Sequence, residues 1–412
     1  MSPLNATAAD GPVLTSLLEM DLYKFTMWQA LWRRHPHNTA EYHLVCRQRP
    51  ERPLAELLPQ VQAELDALCA LRFSPQELAW LGGLRFMRAD FVAWLADFRL
   101  QRGHIRAWAE GETLRVVAQG PQVQVMGFEI LVLALVNGLY FRRLDTPAVR
   151  AEGERRLQAK IDRLQAWAAA AGPQAPAFEL FDFGLRRRFS ADWQAQVLQR
   201  LQQGAPGSFC GTSNAHLART LGLTPIGTMA HEYLQTYQAL DGAGGLGGHQ
   251  RRALQDWLDT YGGDLGIALT DVVGMDAFLA DFDADLARRY AGLRHDSGDP
   301  LVWAHKALAH YERLGIEARD KRLVFSDGLT LEQALGLHQR LAGRARLGFG
   351  IGTHLTNDLG LAPLNVVMKL MRCNGQPVAK LSDSPGKTLC EDAGFLARLR
   401  QAFPLAPRPA AA

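Results

Sequence analysis

The feature that most restricts this fold is a unit recurring from residue 178 onward: a short apolar run ends in Asp or Gly, and a helical pattern usually follows. Phe178–Phe183 (FELFDF) runs into Asp182 and Gly184. Gly266–Asp271 (GIALTD), Gly292–Asp296 (GLRHD), Arg322–Asp327 (RLVFSD) and Arg346–Gly350 (RLGFG) behave alike, and Leu331–Leu341 is one of the helical followers. Strand, loop and helix in repetition imply parallel strands joined by helical crossovers. The loops past their C-terminal ends then open on one side, so polar residues gathered there mark the functional face. The fold class is therefore α/β. Residues 176–400 read as much of a β/α barrel, irregular in its repeat, followed by a Pro/Ala-rich tail at 401–412.

Residues 1–175 have another texture, that of an N-terminal α+β domain mixing helices with antiparallel-looking strands. Asp21 stands where it could cap a helix through Tyr23, Phe25, Met27 and Trp32. Ala40–Arg47 (AEYHLVCR) reads as a strand. Thr113–Val117 and Val123–Met126 alternate and meet across Gly120-Pro121, which predicts a hairpin. Phe128–Tyr140 is apolar nearly all round and predicts a buried helix. An Arg- and Ala-rich helix follows, ending near Ala171-Gly172-Pro173. The sheet of this domain is open to sharing with C-terminal segments.

Composition narrows the function. A chain of 412 residues, 48% hydrophobic and 21% charged, can bury a sizeable core. Its net charge of +3 gives no support for a nucleic-acid partner, which needs a concentrated basic face. The five cysteines are scattered without a CxxC pair, so they read as reduced thiols of a cytoplasmic protein. The N-terminus MSPLNATAADGP lacks the basic and apolar parts of a signal peptide. The most apolar stretch, Ile130–Val136, is too short for a bilayer, so a soluble chain with no membrane partner is expected. Two motifs mislead. GAGGLG (Gly242–Gly247) follows a helical segment and not a strand, so it reads as a connector. SPGKT (Ser384–Thr388) ends like a P-loop, but Leu381 stands where that loop needs glycine.

Five strand-end or helix-start elements carry the candidate chemistry, each beside a plainer reading. Gly348–Thr353 (GFGIGT) could present backbone amides to a phosphate, or simply form a tight turn. Asp327 in Ser326-Asp327-Gly328 could accept bonds from vicinal sugar hydroxyls, or cap the helix that follows. Arg294-His295-Asp296-Ser297-Gly298-Asp299-Pro300 has the composition of a surface turn, yet its arginine suits an anion such as a carboxylate. Phe183 and Arg186 offer a ring face beside a cation, where a flat heteroaromatic could stack; the alternative is a core phenylalanine. His231 opens a helix after Pro225-Ile226-Gly227-Thr228, a place for a structural histidine or for a phosphoryl acceptor near a positive helix end.

Taken in order, LLEMDLYKFTMWQA, FDFGLRR, FCGTSNAHLA, PIGTMAHEYLQ, ALTDVVGMDAF, LRHDSGDP, VFSDGLT, GFGIGTHLTND and PVAKLSDSPGK resemble the bacterial nicotinate phosphoribosyltransferase family, from about Leu14 to Lys387. The resemblance implies an irregular barrel of the type II phosphoribosyltransferase kind, an N-terminal α/β domain, and a homodimer with shared active sites. It implies that nicotinate and 5-phosphoribosyl 1-pyrophosphate become nicotinate mononucleotide and pyrophosphate, with magnesium. ATP would be hydrolysed alongside, through a phosphohistidine at His231 oriented by Asp271. Phe183 would stack on the pyridine, with Tyr23 of a neighbouring subunit on its other face. Arg186 and Arg294 would meet the carboxylate and nearby phosphate charge. Ser326 and Asp327 would lie at the ribose, Asp296 would help bind the ribose or its metal, and Gly352 with Thr353 would hold the 5-phosphate. Ser213 stands where related nicotinamide enzymes carry Asp, and a hydroxyl there would donate to a carboxylate. Two positions depart from the pattern: His354 replaces an Asn, and Ala215-His216 replaces a bulkier pair.

The chemistry fits these parts. Loss of pyrophosphate leaves positive character at the anomeric carbon, and the pyridine nitrogen attacks it, so no strong general base is needed. The nearest alternatives are a phosphoribosyltransferase for nicotinamide or quinolinate, and a non-catalytic barrel that binds a phosphorylated metabolite. A sugar-phosphate aldolase or isomerase would want a strand-end lysine or a histidine cluster, which the sequence does not offer.

Overall fold

A computed structural model describes residues 11–172, 175–384, 388 and 390–403. Most of the expected tail, and Pro385 to Lys387 of the SPGKT stretch, lie outside the described residues. The strands are β1 (Thr39–Cys46), β2 (Ile105–Glu110), β3 (Thr113–Pro121), β4 (Glu179–Asp182), β5 (Phe209–Thr212), β6 (Ile267–Leu269), β7 (Gly292–His295), β8 (Arg322–Phe325), β9 (Arg346–Ile351), β10 (Val366–Cys373) and β11 (Gln376–Pro377).

The repeated unit builds one six-stranded sheet in the order β5-β4-β9-β8-β7-β6, with every pair parallel. Five of its strands are the five apolar runs read from the sequence. The sixth, β5, is Phe-Cys-Gly-Thr, too short and too mixed to announce itself as an apolar run. Irregularity enters between β5 and β6. There the extended segment around Pro225–Thr228 takes the place of a strand: Ile226 N–H donates to Thr212 O, and the Thr228 hydroxyl donates to Ile267 O. The barrel is thus bridged by a stretch that carries His231 at its end.

The second sheet is antiparallel, in the order β11-β10-β1-β3-β2. Residues 366–377 return to join strands from the first 121 residues, so the chain leaves this layer for the barrel and comes back to it. The hairpin expected across Gly120-Pro121 does not form. β3 runs through to Pro121, and a short helix, Gln122–Val125, starts there. Pro121 offers no N–H to a ladder, and its φ of −55° suits a helix start. The true hairpin pairs β2 with β3 around Gly111, whose φ is +57°. β2 was missed because it is an edge strand, exposed at most positions, with no apolar alternation to read.

Helix Phe128–Arg142 is buried from Phe128 through Phe141, as its all-round apolarity predicts. Together with Gln122–Val125 it makes a stretch long and apolar enough to cross a bilayer, which corrects the reading that length excludes it. Its window is 94% buried within this chain's own fold. The helix expected from Asp21 runs Leu22–Arg34, but the Asp21 side chain makes no cap hydrogen bond. That carboxylate is used elsewhere.

Candidate functional site

A cavity of about 440 Å³ opens where β4 to β9 end, between the barrel mouth and the antiparallel layer. Its walls are the residues just past the strands: Phe183 after β4, Ser213 after β5, Asp296 after β7, Ser326 and Asp327 after β8, Gly352 and Thr353 after β9. Parallel pairing forces this convergence, since every strand delivers its next residue to the same rim. Arg186, Arg294, His231 and Tyr23 complete the expected set along the cavity. Asp271 stands behind His231 and bonds to it.

At one end, the Phe183 ring lies across Gly350 of β9. A Cβ on Gly350 would sit 2.3 Å from Phe183 Cδ2, so only glycine leaves the ring its place. We expect Gly350→Ala to displace that ring at an overpacking cost of about 1–3 kcal/mol. The check is a raised KM for the aromatic substrate with the far-ultraviolet circular dichroism unchanged. Tyr23 reaches the same end from its own chain, with the Arg186 guanidinium 5.7 Å above its ring. Leu22 N–H donates to Ser213 O, and the backbone of Tyr23 approaches Gly227 so closely that a Cβ there would come within 2.9 Å. The expectation that Tyr23 arrives from a neighbouring subunit is therefore corrected: the N-terminal helix is stitched onto the barrel rim of the same chain.

Ser213 also differs from expectation. Its single hydroxyl proton is donated to Asp21 Oδ1 at 2.5 Å, so it is not available to a ligand carboxylate in this arrangement.

At the other end, two plainer readings are separated from the functional ones. The helix after β8 is capped by Thr330 and boxed by Gln333, so Asp327 is not its cap. The helix Pro300–Arg313 is capped by Asp299, which leaves Asp296 facing the cavity. Ser326 bridges to its neighbour strand, with its hydroxyl 3.0 Å from His295 O and 3.2 Å from Asp296 Oδ1. Arg294 donates through Nη1 to Met229 O, and its Nε is buried without a hydrogen-bond partner among the described residues.

His231 sits where these ends meet. Its Nε2 lies 2.8 Å from Asp271 Oδ1 and 3.5 Å from Asp296 Oδ2. Asp271 is further held by the Ser297 hydroxyl and by Lys380 Nζ, each at 2.5 Å. Burial, together with the Lys380 charge, pushes His231 down to about 4, against the pull of Asp271. Burial would raise Asp271, but His231 and Lys380 hold it well below the usual carboxylate range. The imidazole is therefore neutral, with a lone pair, throughout the neutral pH range. Oxygen and nitrogen atoms of His231, Asp271 and Asp296 converge within 4.8 Å, as metal ligands would. The Lys380 ammonium already supplies a cation to both carboxylates, 3.5 Å from Asp296 Oδ2.

Lys380 was not singled out from the sequence, and neither were the cations at the outer wall, Arg47, Arg187 and Lys369. Burial lowers Lys369 to about 8 against the pull of Glu129, with nearby cations adding to the drop. Burial and the neighbouring arginines lower Arg187 to about 10. Such mutual repulsion is relieved by an anion. A signal existed: Lys369 interrupts an otherwise apolar run, VVMKLM, inside a strand. Of the two departures from the family pattern, His354 is exposed at the cavity edge, whereas Ala215 is buried at the start of the helix after Asn214.

Known proteins share this sequence and this fold. Residues 178–406 match the model of the nicotinate phosphoribosyltransferase (NAPRTase) family, and residues 18–137 match that of its N-terminal domain. The chain is 59% identical over 392 residues to a nicotinate phosphoribosyltransferase of Herminiimonas arsenicoxydans, covering 95% of this chain and 98% of that one. It is 54% identical over 399 residues to that of Neisseria gonorrhoeae, covering 96% and 98%. Among solved structures, the nicotinate phosphoribosyltransferase of Vibrio cholerae is similar with a TM-score of 0.91 at 38% identity, over 98% of this chain and 97% of that one. That of Porphyromonas gingivalis gives 0.86 at 32% identity, over 95% and 100%.

Proposed function

The chain belongs to the nicotinate phosphoribosyltransferase family, and from that premise we propose that it couples nicotinate mononucleotide synthesis to ATP hydrolysis through phosphorylated His231. The observation that carries this reading is the His231–Asp271 pair, set on the same cavity as the Phe183–Tyr23 aromatic end and the glycine turn of β9.

Nicotinate would enter between Phe183 and Tyr23, with its carboxylate toward Arg186. The 5-phosphate would meet Gly352 and Thr353, and the ribose hydroxyls Asp327. The diphosphate would lie toward Arg47, Arg187 and Lys369, whose crowded charges it would relieve. As the diphosphate leaves, positive character grows at the anomeric carbon near Asp296 and Asp327, and the pyridine nitrogen forms the new bond.

Magnesium has a suitable donor set in Asp296 and Asp327, two hard carboxylates on adjacent strand ends, since this ion takes one or two carboxylates together with substrate phosphates. When bound, it supplies charge neutralisation to the diphosphate. The cluster of His231, Asp271 and Asp296 is the weaker candidate, because magnesium favours oxygen donors, one of these three groups is an imidazole, and Lys380 already pairs with Asp271.

For the ATP half-reaction, Asp271 accepts Nε2–H, so Nδ1 of His231 carries the lone pair. Attack on the γ-phosphorus forms the N–P bond and releases ADP. Burial first and the Lys380 charge second keep the imidazole neutral by opposing its protonation. Lys380→Met is therefore expected to raise the His231 pKa from about 4 toward its ordinary value. The acid limb of the phosphorylation pH profile would then move upward, which stopped-time labelling across pH would read. We place the reaction in the cytoplasm, in salvage toward NAD. In a homodimer each chain would still supply its own Tyr23.

The test is initial-rate measurement with 5-phosphoribosyl 1-pyrophosphate and each of nicotinate, nicotinamide and quinolinate, with and without ATP. Nicotinate turnover stimulated by ATP is expected. Preference for another base, or indifference to ATP, would overturn the reading.

A further inference from the structure

Asp21 is 2% exposed at the head of helix Leu22–Arg34, yet its side chain faces the cavity and not its helix. Oδ1 accepts the Ser213 hydroxyl. Among the described residues Oδ2 is buried without a hydrogen-bond partner, 3.5 Å from Arg186 Nε. The charged and titratable groups that face Asp21 are Arg186 from the turn after β4, Glu129 from helix Phe128–Arg142, Tyr23 from its own helix and Asp182 at the end of β4. The Tyr23 hydroxyl also lacks a partner of proper geometry, although it lies close enough to pull the Asp21 carboxyl down.

Arg186 thus already meets two carboxylates, Asp21 and Glu129, whose Oε1 lies 4.0 Å from Nη1. A ligand carboxylate at this guanidinium would be a third anion beside Asp21 and Glu129, and with Lys24 and Lys369 both drawn to Glu129 the added charge weighs on the carboxylate that is least well paired. Glu129 is held ionised by Lys24 at 2.6 Å. Asp21, whose ion pair with Arg186 is looser, is the group that yields. Burial already pushes its carboxyl up, against the pull of Arg186 and Ser213.

Resting on the nicotinate reading above, we propose that Asp21 is a proton-coupled binding residue for the ligand's carboxylate: it takes one proton from solvent as nicotinate arrives, and its Oδ2–H donates to that carboxylate. The balance is simple. Nicotinate keeps its single negative charge, Asp21 goes from ionised to neutral, and one proton leaves the solvent. A carboxamide ligand instead offers N–H donors, which ionised Asp21 accepts with no proton taken up. Binding of the acid is therefore coupled to proton uptake at this one oxygen, and binding of the amide is not. Ser213 acts through Asp21 by occupying Oδ1, which leaves Oδ2 as the oxygen without a hydrogen bond.

The experiment uses the full chain. Nicotinate is titrated calorimetrically in buffers of different ionisation enthalpy, and KM for nicotinate is followed between about pH 6 and 9, where nicotinate stays singly charged. Expected for the wild type is uptake approaching one proton per nicotinate, with KM rising by up to about tenfold per pH unit at the alkaline end. Asp21→Asn, which keeps a donor at that place, is expected to show no proton uptake and a flat KM profile. Nicotinate binding with no proton uptake in the wild type, or uptake unchanged in Asp21→Asn, would overturn the proposal while leaving the assigned activity intact. Should the variant fail to fold, the wild-type buffer series alone decides. Failure of nicotinate to bind or turn over at all would instead sink the functional reading beneath it.

Discussion

Replacing His231 with asparagine is expected to abolish transfer of label from γ-labelled ATP to the protein and to remove the stimulation of synthesis by ATP. The reason is the division of labour within the imidazole. Nε2 is committed to Asp271 at 2.8 Å, and only Nδ1 is left to accept a phosphoryl group. Asparagine can reproduce a hydrogen bond to Asp271 but has no nucleophilic nitrogen, because the amide lone pair is delocalised. Without a nucleophile the covalent route is closed altogether. The fold should persist, since the segment before His231 is held independently by Thr228, Ala230 and Arg294. Acid-labile, base-stable label on the wild type and none on His231→Asn would agree with this account. Equal labelling of both would move the phosphorylation to another residue.

The second large effect is expected at Asp271. Its two oxygens accept from His231, Ser297 and Lys380, all within 2.8 Å. Asp271→Asn replaces one acceptor oxygen with an N–H donor, which must then face a group that is itself a donor. If it faces His231, the imidazole takes the opposite tautomer and loses the Nδ1 lone pair. By analogy with other carboxylate–histidine pairs, the rate of phosphoenzyme formation would fall by about 10³- to 10⁴-fold. Lys380 keeps Asp296 at 3.5 Å, so its charge is not stranded. Rapid-quench labelling separates this loss from a fall in nicotinate affinity, which the substitution should leave unchanged.

The parts of the site that were legible in the sequence are those that parallel topology delivers by rule. Once GIALTD, GLRHD, RLVFSD and RLGFG are recognised as strands, their next residues must share a rim, and Asp296, Asp327 and Gly352 do. The rest depended on contacts between distant segments, which periodicity does not encode. Asp21 looked like a helix cap, and its position at the helix start is right; that its carboxylate turns to Ser213 across 192 residues could not be read locally. Lys380 follows two fully buried apolar residues, Val378 and Ala379, but nothing nearby says that it points at Asp271. The hairpin error had a different source. Pro121 was read as a turn residue, whereas it ends one element and starts the next. β5 escaped because four residues containing glycine and cysteine carry too little apolar signal. The assignment of Tyr23 to a neighbouring subunit came from resemblance alone, and the docking of its helix through Ser213 and Gly227 corrects it.

The central claim is that a single cavity brings base, ribose and phosphate groups to His231. A crystal structure of the protein soaked with nicotinate mononucleotide tests it most directly. The account places the pyridine between Phe183 and Tyr23 of one chain, the ribose beside Asp327, and the phosphate on Gly352 and Thr353. Nucleotide bound away from these strand ends, or a pyridine that touches neither aromatic ring, would contradict it.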